Sequence, residues 1–441
     1  MPFLPLSPGR RRFLARAVPL AAATLLALTC AVPAGAAGTP SPPGFGGDPT
    51  ATYTLFSDTP MELTPPGQEV PLEELLARAR TTAAPAPHTA AAEAADGGRR
   101  AGKDDLAAYE CREQESAFSG EGYGKSRFTT CQAYNLSVAK IECWLIFCRI
   151  AGTADVDIAD VQRTRNAARQ IDVVQVLDNW RLKGDIADTL LSTDVTCTAR
   201  QGFGPCQVRD GWAGPVVQSI GAWAGEGSVT SRYYSFTLPA AGGLGQALIS
   251  YADLNWHFAI PAGVPGADRH DGPNSGVRCD SAPYIINTNA GEGCVFPWVT
   301  ETVQISAADY PESAAHILTA QYHPDQTLPP VAGKQIPGAP GSGRPLHRIA
   351  DQGVIDAHRA TAVAACNQWF PNYADEGLDC DEYPFASTQE GSDPATGNYS
   401  VEPIPDWDNR GSGAVVGNFY TYRRILGSDL TNDPFYVEVT P

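Results

Sequence analysis

The sequence predicts two folded parts: a β-rich, sandwich-like N-terminal domain and a small α+β module at the C-terminal end. Three observations lead to this. Glycine (43) and proline (37) make up about 18% of the 441 residues, above the ordinary level of about 12%, which suits turn-rich strands better than a helical bundle. Runs rich in Ile, Val, Phe, Tyr and Trp recur between residues 106 and 326, one of them with period-two alternation. Past a Pro/Gly-rich break the apolar residues take up helical spacing.

Residues 1–36 are predicted to be a signal peptide. Arg10-Arg11-Arg12-Phe13-Leu14 precedes an apolar run, Val18 to Val32, and an Ala34-Gly35-Ala36 site. The run is too short to span a membrane, and its start resembles a twin-arginine export signal. The mature chain is therefore expected outside the cell, soluble and without a membrane partner. Setting aside Cys30 leaves ten cysteines, an even number that predicts up to five disulfides in an exported protein. Short loops favour Cys197 with Cys206, Cys279 with Cys294, and Cys366 with Cys380. No CxxC pair occurs, which argues against zinc.

Residues 37–105 are Ala/Pro/Gly-rich and are predicted to be a flexible segment, with a turn or two of helix over Leu72 to Ala79. The β-rich domain, residues 106–326, has no role that its sequence discloses. Its strands include Lys140 to Ile150 and Ser231 to Leu238. In a third, Leu254, Trp256, Phe258 and Ile260 alternate with polar residues. Residues 327–344 form a Pro/Gly linker. In the module, 345–441, the pattern predicts a helix over His347–Phe370 and strands over Asp381–Ser387 and Tyr399–Ile404. A second helix follows over Ser412–Ile425, with Asn409 near its N-cap, then a closing strand over Pro434–Thr440.

A net charge of −18 and a pI near 4.7 exclude passive, charge-driven binding to nucleic acid or anionic membrane. An enzyme that meets phosphate through a bound cation is not excluded. The Gly-rich stretch Gly120 to Ser126 fails as a phosphate loop because Ser119 stands where its first glycine belongs. No Gly-x-Ser-x-Gly elbow occurs, and His257 and His316 read as structural or surface histidines. What stands out is Asp379-Cys380-Asp381-Glu382-Tyr383-Pro384-Phe385, with Glu390 beyond it. Four carboxylates within twelve residues repel one another unless a cation or a shared proton relieves them.

Cys380-Asp-Glu-Tyr-Pro-Phe-Ala-Ser-Thr388, Asp408-Asn-Arg-Gly-Ser-Gly413, Gly417-Asn-Phe-Tyr420 and Asp433-Pro-Phe-Tyr-Val437 resemble the secreted NucA/NucB deoxyribonucleases of bacteria. The resemblance covers residues 345–441 only. It implies a small ββα-metal nuclease acting on DNA, with Asp381 as base, Glu382 as second choice and Arg410 against a phosphate. Asn409, Asn418 and Glu390 are the implied metal-site residues for Mg²⁺ or Mn²⁺, and Arg423 and Arg424 the implied DNA contacts. Nine residues at 100° set Asn409 and Asn418 on opposite faces of a helix, so one of them, Asn409, is favoured. Six arginines, no lysine and fifteen acids in residues 344–441 make the module unusually acidic for a nuclease. Two rival readings are an extracellular binding or adhesion protein with a degenerate nuclease tail, and a secreted toxin with a cognate inhibitor protein.

Overall fold

The computed structural model describes residues 49, 51–57, 60–79, 106–225, 229–260, 269–285, 291–427 and 433–441. The expected signal peptide, Cys30 and most of the expected flexible segment lie outside them. Two antiparallel sheets dominate. The first runs β1 (Ala51–Ser57), β4 (Thr129–Trp144), β5 (Phe147–Arg165), β6 (Ala168–Gly184), β10 (Val229–Thr237) and β8 (Gln207–Gly211). Two short strands attach to it, β2 (Val70–Pro71) and β3 (Tyr123–Ser126). The second runs β14 (Glu292–Val295), β13 (Ser275–Ser281), β11 (Ser250–Ala259), β7 (Leu190–Ala199) and β9 (Val216–Ser219), with β12 (Arg269–Asp271) beside β11. Three short helices, α1 (Leu72–Ala79), α2 (Ala108–Arg112) and α3 (Ile220–Gly225), flank the sheets.

The sheets face each other as the alternation demands. In β11, Ala252, Leu254, Trp256 and Phe258 are buried while Asp253, Asn255 and His257 are half-exposed. Leu136, Val156 and Leu177 of the first sheet share a core with Leu191, Val216 and Phe258 of the second. Ile171 and Phe236 likewise meet Leu254 and Val277. All five disulfides are present: Cys111–Cys131, Cys143–Cys148, Cys197–Cys206, Cys279–Cys294 and Cys366–Cys380. Two sequence expectations are corrected here. Residues 51–57 are not flexible, because β1 pairs along its length with β4 and buries Leu55. Lys140 to Ile150 is not one strand but a hairpin, turning at the exposed Leu145 and Ile146 and closed by Cys143–Cys148.

The C-terminal module begins upstream of residue 345. β15 (Glu301–Ser306) lies parallel to β19 (Pro434–Thr440), which also pairs with β16 (Leu346–His347). A two-stranded ribbon, β17 (Leu378–Tyr383) and β18 (Ser400–Pro405), sits among α4 (Pro311–Tyr322), α5 (Gln352–Trp369) and α6 (Asp406–Tyr422). The core combines Val303, Ile305, Ile317 and Ala320 with Tyr383, Val416, Phe419 and Phe435. Residues 327–344 are not a free linker. Ile336 is buried in that core, and Val401 N donates to Leu328 O at 2.9 Å.

Helix ends also shift. Asp351 caps α5, accepting from Gly353 N at 2.8 Å and Val354 N at 3.2 Å, so His347 falls on β16 rather than on the helix. α6 starts directly after Pro405, with Asp406 and Asp408 in its first turn, where acids favour a helix. Asn409 therefore lies inside the first turn, not at the N-cap.

A buried cluster of charges joins module and sandwich. Asp433 accepts from Arg127 Nη2 and Arg278 Nη1, each at 2.6 Å. Asp280 Oδ1 accepts from Arg424 Nη2 at 2.6 Å, and none of these five side chains is more than 3% exposed. The two guanidinium groups hold the Asp433 carboxyl far below the usual carboxylate range, against the burial that would raise it.

Candidate active site

The ribbon presents consecutive carboxylates to opposite sides, as strand geometry requires. Asp381 is buried against α4. Its Oδ2 accepts from His316 Nδ1 at 2.7 Å and, more weakly, from Ser313 Oγ at 3.4 Å. His316 Nε2 lies 2.7 Å from Ser400 Oγ on β18, so the imidazole bridges the two strands. Burial opposes charge on His316, but the bond and charge of Asp381, with Glu402 and Glu382, outweigh it and raise the pKa. Asp408, on α6, fixes α4 in turn: its oxygens accept from Glu312 N at 2.9 Å and Ser313 N at 3.1 Å. This satisfies two of the orphan amides at that helix's N-terminus.

Glu382 turns toward the α5 side and the Arg359 charge. Burial, with the Asp381 charge adding to it, pushes its pKa from 4.5 to about 8. Asn409 donates from Nδ2 to Cys380 O at 3.4 Å, which leaves its Oδ1 as an acceptor. Arg410, on the rim, bonds Asp379 Oδ2 through Nε at 3.1 Å. Its side chain is 70% exposed, and an ion pair so exposed is worth about 0–1 kcal/mol, leaving the guanidinium able to move to a phosphate. Cys366–Cys380 ties α5 to β17 one residue before Asp381. Closing a loop of that length contributes about 3 kcal/mol on the entropy model.

Asp381, Glu382, Asn409 and Arg410 all line one cleft of about 850 Å³, walled by α5 and α6. Four other candidates lie elsewhere. Glu390 accepts from His347 N at 2.9 Å and Nδ1 at 2.7 Å, and does not line the cleft. Asn418 lines a separate groove with Phe128, Asn166 and Arg423, the opposite face that helix periodicity requires. Arg424 is fully buried on Asp280 and cannot reach DNA, which corrects that expectation. Arg423, beside Glu301 at 3.6 Å, borders the Asn418 groove rather than the cleft. The sequence reading missed His316, Ser313 and Asp408. No local spacing could have linked His316 to Asp381, since 65 residues separate them.

Asn409 Oδ1 and the carboxylates of Asp379, Asp381 and Glu382 supply hard oxygens at the cleft. Among the described residues no group of three or more His, Cys, Asp and Glu side chains could hold a metal. A cation here would keep most of its water shell, as Mg²⁺ does when bound by one or two carboxylates. Asn409 Oδ1 and the Glu382 carboxylate are hard-oxygen donors of the kind such an ion takes.

Two strands and a helix bring carboxylates and an amide to one cleft, and comparison with known families bears on this module. Residues 348–432 match the family model of deoxyribonuclease NucA/NucB. The C-terminal module is thus similar to that family over most of its length, as its motifs indicated; the match does not extend into the sandwich. No curated protein and no solved structure matches the chain.

Proposed function

We propose that the protein is a secreted, metal-dependent DNA endonuclease that hydrolyses phosphodiester bonds with little sequence preference, through a module of ββα-metal type. The observation that carries this reading is the convergence of Asp381, Glu382, Asn409 and Arg410 on one cleft within the matched family domain. Five disulfides suit an oxidising compartment. Among the described residues no helix is long and apolar enough to cross a membrane.

Asp381 acts as the base. Both of its partners bond Oδ2, so Oδ1 accepts the proton of the attacking water while His316 holds the carboxylate in place. Arg410 swings from Asp379 to the phosphoryl oxygens and offsets the charge that grows on them. Asn409 and Glu382 would hold Mg²⁺ or Mn²⁺, and such an ion, when bound, would supply Lewis-acid polarisation of the phosphate and charge relief for the leaving oxygen. The acidic module, unable to attract DNA by net charge, relies on that ion and on the cleft arginines.

A second reading exchanges the carboxylates. With a pKa of about 8, Glu382 is better matched than an ordinary carboxylate to taking a proton near neutral pH. Plasmid nicking by the full chain with Mg²⁺, with EDTA, and by Asp381→Asn and Glu382→Gln tests both. Loss of about 10² to 10⁴ in turnover is expected for Asp381→Asn, the usual worth of a general base. A near-active Asp381→Asn beside a dead Glu382→Gln would establish the exchange. Inert wild-type protein with either metal would reject the nuclease reading.

A further inference from the structure

Many arginines of this acidic chain are paired with carboxylates. Arg127, Arg278 and Arg424 are neutralised in the buried cluster, and Arg410 at the cleft rim meets Asp379. Two arginines that line the cleft are not so paired. Neither Arg348 nor Arg359 has a carboxylate within ion-pair distance among the described residues, although Asp and Glu outnumber Lys and Arg by 49 to 31.

Arg348 is held by other means. Its guanidinium lies between two rings, 5.0 Å from the centroid of Tyr284 and 4.7 Å from that of Tyr420. Nη1 donates to Ile425 O at 2.8 Å. Stacking fixes a guanidinium without cancelling its charge. A half-buried, unneutralised cation facing a cleft is costly unless an anion arrives. Tyr284 lies beyond β13, in the sandwich, so that domain shapes this end of the cleft.

The path between Arg348 and the carboxylates is bare. Asn409, Gly413, Val416, Gly417 and Tyr420 line the cleft along α6. Eleven residues from Asn409 to Tyr420 cover roughly 16 Å, the length of roughly three to five nucleotides of strand. No atom lies within 4 Å of a Cβ built at Gly413 or Gly417. Glycine is a poor helix former, and what it leaves at these two positions is open wall.

From this arrangement we infer that Arg348, assisted by Arg359, forms a phosphate subsite for the DNA strand several nucleotides from the scissile bond. The strand reaches it along the Gly413–Gly417 face of α6. The inference rests on the nuclease reading above, and its test separates the two.

The full-length protein with Mg²⁺ is assayed on a twenty-nucleotide strand and on bis(p-nitrophenyl) phosphate, which is too small to reach Arg348. For Arg348→Ala, kcat/KM on the strand falls roughly tenfold relative to the small ester, mainly through KM, as loss of one charge-assisted contact predicts. The slope of log affinity against log salt becomes shallower by about 0.7, one phosphate contact on a single strand. Arg348→Lys, which keeps the charge, recovers part of the KM. Gly413→Leu, which fills the wall, depresses the strand more than the ester. Equal loss on both substrates, or no loss on either, overturns the subsite and assigns Arg348 to structure alone. Wild-type protein that cuts neither substrate overturns the nuclease reading itself.

Discussion

Replacing His316 tests the site at its least expected point. His316→Ala removes the Nδ1 bond to Asp381 and the Nε2 contact to Ser400, each 2.7 Å long and both buried. The first is charge-assisted, worth about 1.5–3 kcal/mol, and the second adds about 1 kcal/mol, so the variant should lose roughly 3–4 kcal/mol of stability. Asp381 keeps only the 3.4 Å contact with Ser313. A drift of about 1 Å in a catalytic group costs roughly 10²-fold in rate, so kcat should fall by that order while KM barely moves. Two conservative variants separate positioning from bulk. His316→Asn places a donor near the former Nδ1 and keeps the link to Asp381, whereas His316→Gln reaches the Nε2 position and keeps the link to Ser400. Denaturant unfolding and single-turnover cleavage should rank kcat as wild type, Asn, Gln, Ala. If Gln outperforms Asn, or Ala turns over within twofold of wild type, His316 does not act through Asp381.

Three further outcomes follow from the geometry. Glu382, desolvated and beside Asp381, titrates at about 8 instead of 4.5 in the metal-free protein, so it favours the folded state below pH 4.5 and loses that contribution as pH rises to about 8. A cation on the ionised carboxylate restores it, so the rise in Tm on adding Mg²⁺ should be larger at pH 8 than at pH 5; equal rises would count against Glu382 as a ligand. Asp433→Asn strips the charge from between Arg127 and Arg278 and should cost about 3–5 kcal/mol, with tryptophan fluorescence and nuclease activity lost in one urea transition. Two separated transitions would mean the buried cluster does not couple sandwich to module. A chain of residues 345–441 alone lacks β15 and α4 and should be largely unfolded by circular dichroism; a folded, active fragment would contradict the shared core.

The legible parts of this molecule were those written in short stretches of chain. The order helix, strand, strand, helix, strand in the module follows from local periodicity, as does the alternation of β11. The three short-loop disulfides needed only proximity in sequence. Asp381, Glu382, Asn409 and Arg410 were legible because motif residues near one another in sequence share one cleft. What stayed hidden depends on distant partners. Ile336 and Leu328 looked like spacers in a Pro/Gly run until the module's core and β18 met them. Arg424 looked like a DNA contact because Asp280, its partner, lies 144 residues away. Asn409 was misplaced relative to its helix because α6 starts directly after Pro405, six residues before the Ser412 at which the pattern put its start.

The parallel pairing of β15 with β19 sets an order of assembly. β15 and α4 leave the ribosome more than a hundred residues ahead of the strand that β15 pairs with. Until residues 378–440 follow, His316 has neither Asp381 nor Ser400, and Asp408 is not yet there to cap α4. The sandwich, whose long hairpins β4, β5 and β6 join neighbours in sequence, can form earlier, because nearby pairings cost less loop entropy to close. The cleft therefore closes after the sandwich, once β17, β18, α6 and β19 have joined β15 and α4.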